Sequence, residues 1–204
     1  TGVTTISKIL SMAALSMNGR EDLDFKFVDQ KGLAQRNGNV TGHLMIYKKG
    51  KSQAQITPIA GADLLISPDS LDGSQHLHFL NEKGKIILDK KFQVPLSILL
   101  NIGESEKPID EKTLNELLKE KYSEQLIQLD VKEIVFQDLG RSVYASAAIL
   151  GVAFQAGMIP FNLDNVLDAI NKAVSKSEVE NNIKAFHLGR QIFLGEKLTN
   201  KVLQ

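Results

Sequence analysis

The stretch SVYASAAILGVAFQAG, residues 142–157, constrains this chain more than any other. It is apolar on nearly every side and rich in small residues, whereas a surface helix confines its apolar residues to one stripe. It therefore reads as a helix buried all round and packed closely on its neighbours. Burying a whole helix takes a substantial core, and 204 residues provide one as a large α/β domain or as two small ones. With no internal repeat and no low-complexity linker, one domain over residues 1–204 is the simpler organisation.

The rest of the chain supplies the layers around that helix. Ile6, Ile9, Leu10, Ala13, Ala14 and Met17 recur at helical spacing, with Thr4 or Thr5 available as N-cap and Asn18-Gly19 as the stop. LDFKFVD alternates as a strand. VTGHLMIYKKGKSQAQITP reads as two strands around a Lys49-Gly50 turn, a hairpin that makes the sheet mixed. Ala62 to Ile66 is a short buried strand ended by Pro68; a helical turn, a corner at Gly84 and a strand from Lys85 to Asp89 follow. The polar stretch NIGESEKPIDEKTLNELLKEKYSEQ contains an amphipathic helix with Asp110 at its start, and LIQLDV returns to the sheet. After Lys132 the period is helical, through NLDNVLDAINKAV, EVENNIKAFHLGRQIF and LTNKVL. The expected fold is α/β and three-layered, a Rossmann-like open mixed sheet of doubly wound type with a helical C-terminal part.

Composition narrows the chemistry. Lys plus Arg and Asp plus Glu both number 24, so no net field draws the chain to nucleic acid or a membrane surface. With no Cys there is no thiol nucleophile and no thiolate-held zinc or iron–sulfur cluster on this chain. Apolar runs such as AAILGVAFQAGMIPF fall short of the ~18 to 20 residues that cross a bilayer, and no secretory segment opens the chain. A cytoplasmic location is the expectation. The start at Thr1, without Met, implies that a piece precedes it.

Several residues are candidates for a site. Thr1, Gly2 and Val3 open a helix, where free N–H groups and a glycine form an anion site or simply a helix start. Asp29 closes the second element 27 residues after Gly2, either as a ribose-binding acid or as a turn residue. Gln35 and Arg36, with Asn37-Gly38-Asn39, offer donors to phosphate or carboxylate, or make a solvent-facing turn. His43 sits in a strand, as a structural residue by default. His76 and His78 lack a third metal ligand, and His187 reads as core-edge packing. No Ser-His-Asp order, Gly-x-Ser-x-Gly or His-Glu-x-x-His is present, so nothing forms a self-sufficient active site.

In order and at similar spacing, TGVTTISKILSMAA, VDQKGLAQRNGNVTGH, ADLLISPDSL, LGVAFQAGMIP and ENNIKAFHLGRQ resemble the gamma domain of 2-oxoacid:ferredoxin oxidoreductases, nearest the indolepyruvate branch. Thr1, Gly2 and Val3 match the end of that family's Gly-Gly-Thr-Gly-Val turn. Gly32, Leu33, Ala34, Gln35, Arg36, Gly38, Val40 and His43 answer its Gly-Leu-Ala-Gln-Lys-Gly-Gly-x-Val-x-Ser-His segment. Leu150, Gly151, Gly157 and Pro160 answer its Leu-Gly and Gly-x-x-Pro; Asn182, Ala185, Phe186, Gly189 and Arg190 match its Asn-x-x-Ala-Phe-x-x-Gly-Arg. Asn37 replaces a Gly, Asn39 a small residue, Gly42 a Ser, and Ser146 an Asn.

The resemblance implies a Rossmann-type partner of catalytic subunits or domains that hold thiamine diphosphate. Such enzymes oxidatively decarboxylate a 2-oxoacid to an acyl-CoA and pass electrons through iron–sulfur clusters to ferredoxin. Thiamine diphosphate, clusters and coenzyme A are thus implied for the whole complex, none of them held by cysteine here. Thr1, Gly2, Val3, Gln35, Arg36, Gly38 and His43 are the residues it points to, near bound coenzyme A or substrate at a subunit interface. The expected activity is that of a non-catalytic-by-itself gamma-type subunit acting with an aryl pyruvate such as indolepyruvate. An independent dinucleotide-binding enzyme or sensor, and a structural adaptor that kept the fold, are the two rival readings.

Overall fold

The computed structural model describes residues 2–16, 22–31, 40–51, 54–91 and 110–195. Helix α1 spans Gly2–Leu15, and strands β1, Leu23–Lys31, and β2, Val40–Lys48, follow as an antiparallel pair. Strand β3, Ala62–Ser67, leads through helix α2, Ser70–Gln75, and a 3₁₀ turn, Leu77–Phe79, into β4, Leu80–Asp89. Helix α3, Glu111–Tyr122, precedes β5, Leu126–Leu129, and helix α4, Val131–Leu139. The chain continues with a 3₁₀ turn, Ser142–Tyr144, then α5, Ala145–Gln155, α6, Leu163–Ala173, a 3₁₀ turn, Lys176–Glu178, and α7, Val179–Phe193.

Strands β3, β4 and β5 form a parallel sheet in that order. Parallel strands need crossovers that cover both sheet faces, and alternation along β4 shows the result. Ile86 and Leu88 face Leu114 and Leu118 of α3, while Ile87 faces the main core of α1 and α4 to α7. Three layers follow: α2 and α3, the sheet, and the large helical layer. This is the expected α/β architecture.

The large layer is organised by α5. Every residue from Ala145 to Ala153 is buried, as the sequence requires. Its contact with α7 is too close for side chains: a Cβ at Gly151 would overlap the Phe186 carbonyl oxygen, and one at Gly189 would overlap that of Ala148. The two helix backbones therefore touch directly. Helix α5 ends in a Schellman motif, with Gly157 at φ +69°, its N–H donating to Phe154 O and that of Met158 to Ala153 O, both at 3.0 Å. Asp110 and Asn162 cap α3 and α6 through the N–H groups of Thr113 and Asn165.

Four local expectations change. Helix α1 already runs from Gly2, so Thr4 and Thr5 lie inside it rather than at its cap. Lys49-Gly50 is a turn, with Gly50 at φ +82°, but among the described residues no strand lies between it and β3; β2 pairs backwards with β1 instead, Lys31 against Val40. Asp29 does not close β1, whose ladder runs on to Lys31. Gly84 is no corner: β4 starts at Leu80 and accommodates Asn81 to Gly84 opposite the single Asp63 as a bulge, where a Cβ on Gly84 would sit 2.8 Å from Ala62 O. Met17, Asn18-Gly19 and LTNKVL lie outside the described residues.

Helix propensity alone makes Gly→Ala in a helix interior favourable by ~1 kcal/mol. At Gly151 or Gly189 the sign reverses, because the new methyl displaces a backbone. Gly189→Ala and Gly151→Ala should each lower stability by ~2 kcal/mol, read as a drop in the urea midpoint at unchanged m-value.

Candidate functional site

Open α/β sheets present ligands at the carboxyl ends of their strands. At this edge β3 ends at Ser67, β4 at Asp89 and β5 at Leu129. The start of α1 is seated against the same edge: a Cβ on Gly2 would come within 2.7 Å of Ser146 Oγ and 3.2 Å of Pro68 Cγ. Glycine is thus imposed at position 2 by close approach. Neither α1 nor α5 carries an acidic residue in its first turn, and no side chain caps α5. Two positive helix ends therefore meet at Gly2 and Ser146 without a carboxylate of their own first turns to offset them. Ser146 is buried there, 3% exposed.

The turn below Gly2 is rigid for a sequence reason. Asp69 caps α2, accepting from the N–H groups of Leu71 and Asp72 at 3.0 Å each, and Ser67 Oγ donates to Asp69 O at 2.8 Å. Ser70, fully buried, donates from its hydroxyl to Lys90 O at 3.1 Å and so ties α2 to the end of β4. Asp89 completes the edge. Its carboxylate accepts from Lys91 N at 3.0 Å and from Lys132 N at 2.7 Å, and so caps α4 from another strand. Burial pushes its carboxyl above the usual range, against the pull of those two N–H groups and of the Lys132 charge. Lys90 Nζ pairs with Asp130 Oδ2 at 2.8 Å alongside.

Of the residues singled out by sequence, Gly2 and Val3 stand at the start of α1, Val3 half-buried. Thr1, Gln35, Arg36 and Gly38 lie outside the described residues, as do Asn37 and Asn39. His43 is buried in β2, on the face opposite α1. Successive strand residues alternate: Gly42 packs on Ser7 of α1, where a Cβ would overlap Ser7 Oγ, while His43 turns to the 3₁₀ turn and lies edge-on to Phe79 at 5.3 Å. Gly42, in place of the Ser of the resemblance, thus fits a Ser on α1. Gly2 and His43 are therefore brought to opposite sides of the β1–β2 ladder. Asp29, exposed, is paired with Gly42 within that antiparallel ladder. It is not at the carboxyl end of a parallel strand, which is where a ribose-binding acid stands.

The remaining motif residues act in packing. Phe186 is fully buried, and Asn182 donates from its side chain to Glu178 O at 2.8 Å. Arg190 donates from Nε to Gln155 Oε1 at 2.9 Å and covers the Phe154 ring. Burial, then the Arg190 charge, holds His187 below the usual imidazole range at the core edge. Among the described residues no group of three His, Cys, Asp or Glu side chains is arranged to hold a metal. Sequence reasoning gave Pro68 and Asp89 only as the ends of predicted strands and gave Ser70 no role; an acid at one strand end and a Pro-Asp-Ser turn after the other were the only signals. Replacing the buried Asp89 by Ala takes the acceptor from the Lys91 and Lys132 N–H groups and should cost ~2 kcal/mol in chemical denaturation. Asp89→Asn, which keeps one acceptor, should lose about half as much.

The family described as pyruvate ferredoxin/flavodoxin oxidoreductase matches residues 1–192. The indolepyruvate oxidoreductase subunit IorB of Archaeoglobus fulgidus is 27% identical over 188 residues, covering 92% of this chain and 88% of that one. The IorB subunit of Pyrococcus horikoshii is 20% identical with the same coverage. Among solved structures, the gamma subunit of a keto/oxoacid ferredoxin oxidoreductase from Geobacter sulfurreducens superimposes with a TM-score of 0.60 at 19% identity, over 95% of this chain and 90% of that one. A 2-oxoglutarate:ferredoxin oxidoreductase from Magnetococcus marinus gives 0.59 at 10% identity, over 94% of this chain and 28% of the other. The chain belongs to the pyruvate ferredoxin/flavodoxin oxidoreductase family.

Proposed function

We propose that this chain is one domain over residues 1–204 that works only within its complex, in the cytoplasm, beside subunits or domains that hold thiamine diphosphate and the iron–sulfur clusters and deliver electrons to ferredoxin. The substrate is an aryl pyruvate, indolepyruvate or a relative, in line with the names of the related IorB subunits. The role of this chain is to receive coenzyme A and present it to the acyl group formed on the partner.

The observation that carries this reading is the seat of Gly2 against Pro68 and Ser146. The absence of a side chain there lets the start of α1 seat beside the start of α5, and the acid-free first turns of the two helices favour negative charge near their N–H groups. These features fit the phosphates of coenzyme A. The Magnetococcus marinus structure is described as holding 2-oxoglutarate, coenzyme A and succinyl-CoA. When bound, coenzyme A supplies the thiol that accepts the acyl group. Thr1, Gly2 and Val3 would hold its phosphates, Arg36 would add a planar cation, and Gln35 and Gly38 would donate beside it. His43 supports that segment from within the ladder. No residue of this chain is assigned to thiamine diphosphate or to a cluster, in keeping with its lack of Cys.

Two measurements check the reading. Anaerobic purification of the tagged chain from its host should yield a brown complex containing a thiamine-diphosphate subunit; a colourless lone protein, under conditions where such complexes survive, overturns it. In that complex Arg36→Ala should raise the KM for coenzyme A by about tenfold, the worth of one charge-assisted contact, with the KM for the 2-oxoacid unchanged. An unchanged KM for coenzyme A, with assembly preserved, would reduce the chain to an adaptor.

A further inference from the structure

Three of the four imidazoles of the chain gather where the β1–β2 ladder meets α2 and the 3₁₀ turn after it. His43 of β2 lies edge-on to Phe79. His76, at the end of α2, is stacked 6.4 Å from the same ring, and His78 is tilted over it at 4.2 Å. Thr41, two residues before His43 and on the same face of β2, meets His76 Nε2 through its hydroxyl at 2.9 Å. These contacts fasten the end of the ladder to the α2 segment.

The two inner imidazoles differ in what a proton does to them. His76 Nδ1 faces the carbonyl oxygen of Asp72 at 2.9 Å, and a carbonyl only accepts, so Nδ1 carries hydrogen and Nε2 of the neutral ring accepts from Thr41. On protonation Nε2 donates to the Thr41 oxygen instead, and both bonds survive. His43 has no such freedom. It is 4% exposed, and its Nε2 has no hydrogen-bond partner among the described residues. A proton there would be buried against a phenyl ring with nothing to accept it.

We propose that His43 is a proton-operated latch beside His76: His76 keeps both of its bonds in either protonation state, whereas a proton on His43 releases the ladder from α2 and the 3₁₀ turn. Among the described residues, the other charged or titratable groups around the pair come from three elements. From α2 and its cap come Asp72 and Asp69, from the 3₁₀ turn His78, and from β1 Lys26, which shares the face of His43; the register partner of His43 is the apolar Val28. Asp72 retains an Oδ1 with no hydrogen-bond partner among the described residues, its carboxyl held high by burial and drawn back by His76. Burial, then the His76 charge, holds His43 below the usual imidazole range. The sign follows: the attachment is complete above the ordinary histidine value and is lost as pH falls through the lower value of His43 in the closed form.

Hydrogen–deuterium exchange of the 204-residue chain, corrected for intrinsic rates, tests this in peptides covering 40–48 and 70–80. One proton taken up on opening gives up to about tenfold faster exchange per pH unit below about 6.5. His43→Gln, and His43→Phe as a second variant that keeps the packing on Phe79, should abolish that dependence. Thr41→Val should speed exchange at every pH and keep the slope. A slope absent from the unmodified chain, or one that persists in a folded His43 variant, overturns the latch.

Discussion

The direct contact of two helix backbones governs the packing. With no side chain at Gly151 or Gly189, α5 and α7 have a fixed separation that no rotamer change can alter. Everything in the large helical layer is referred to that pair. Helix α4 packs on both, α1 packs on α5 and α6, and α5 covers β4 of the parallel sheet. A small network holds the same two helices at their beginnings: Tyr144 donates to Glu178 at 2.6 Å, and Arg141 and Asn181 donate to the Tyr144 oxygen. The Tyr144 bond, then the Arg141 charge, holds Glu178 below the usual carboxylate range, so this junction stays ionic at neutral pH.

That packing also sets the geometry of the proposed anion site at the edge of the sheet. Helix α5 is buried by its glycine contact, and its start lies where α1 begins. The orientation that brings two helix N-termini together thus comes from contacts far from the site. The polar groups at the edge are then occupied in shaping it: Asp69, Ser70 and Asp89 each satisfy backbone groups of the turns and helix starts around Gly2. What is left for a ligand is backbone and the field of the helices.

Much of this was legible in the residues themselves. An all-apolar, small-residue segment has one physical solution, and α5 adopts it. Asp110 before TLNELL and Asn162 before LDNVL announce helix starts by chemistry that acts within three residues. Long-range contacts were the illegible part. The Lys49-Gly50 turn is a sound local signal, yet the partner of β2 comes from upstream, because Phe25, Leu44 and Ile46 bury together under the main core. Thr4 and Thr5 look like caps, but the packing of Gly2 on Pro68 and Ser146, segments more than sixty residues away, accompanies an earlier helix start. The motif residues Asn182, Phe186 and Gly189 gave no sign, as letters, of serving a helix crossing rather than a ligand.

The β1–β2 ladder has a further consequence, for the order of assembly. Among the described residues it pairs with no third strand, and two strands alone are marginal in water. Its apolar face, with Phe25, Leu44 and Ile46, is completed only by the core beneath it, and Gly42 can seat only on a formed α1. Helix α1 in turn packs on α5 and α6, which lie more than a hundred residues downstream. The ladder must therefore wait for helices that follow it by more than a hundred residues: during synthesis it gains its native contacts only after they do, although its own residues emerge before theirs.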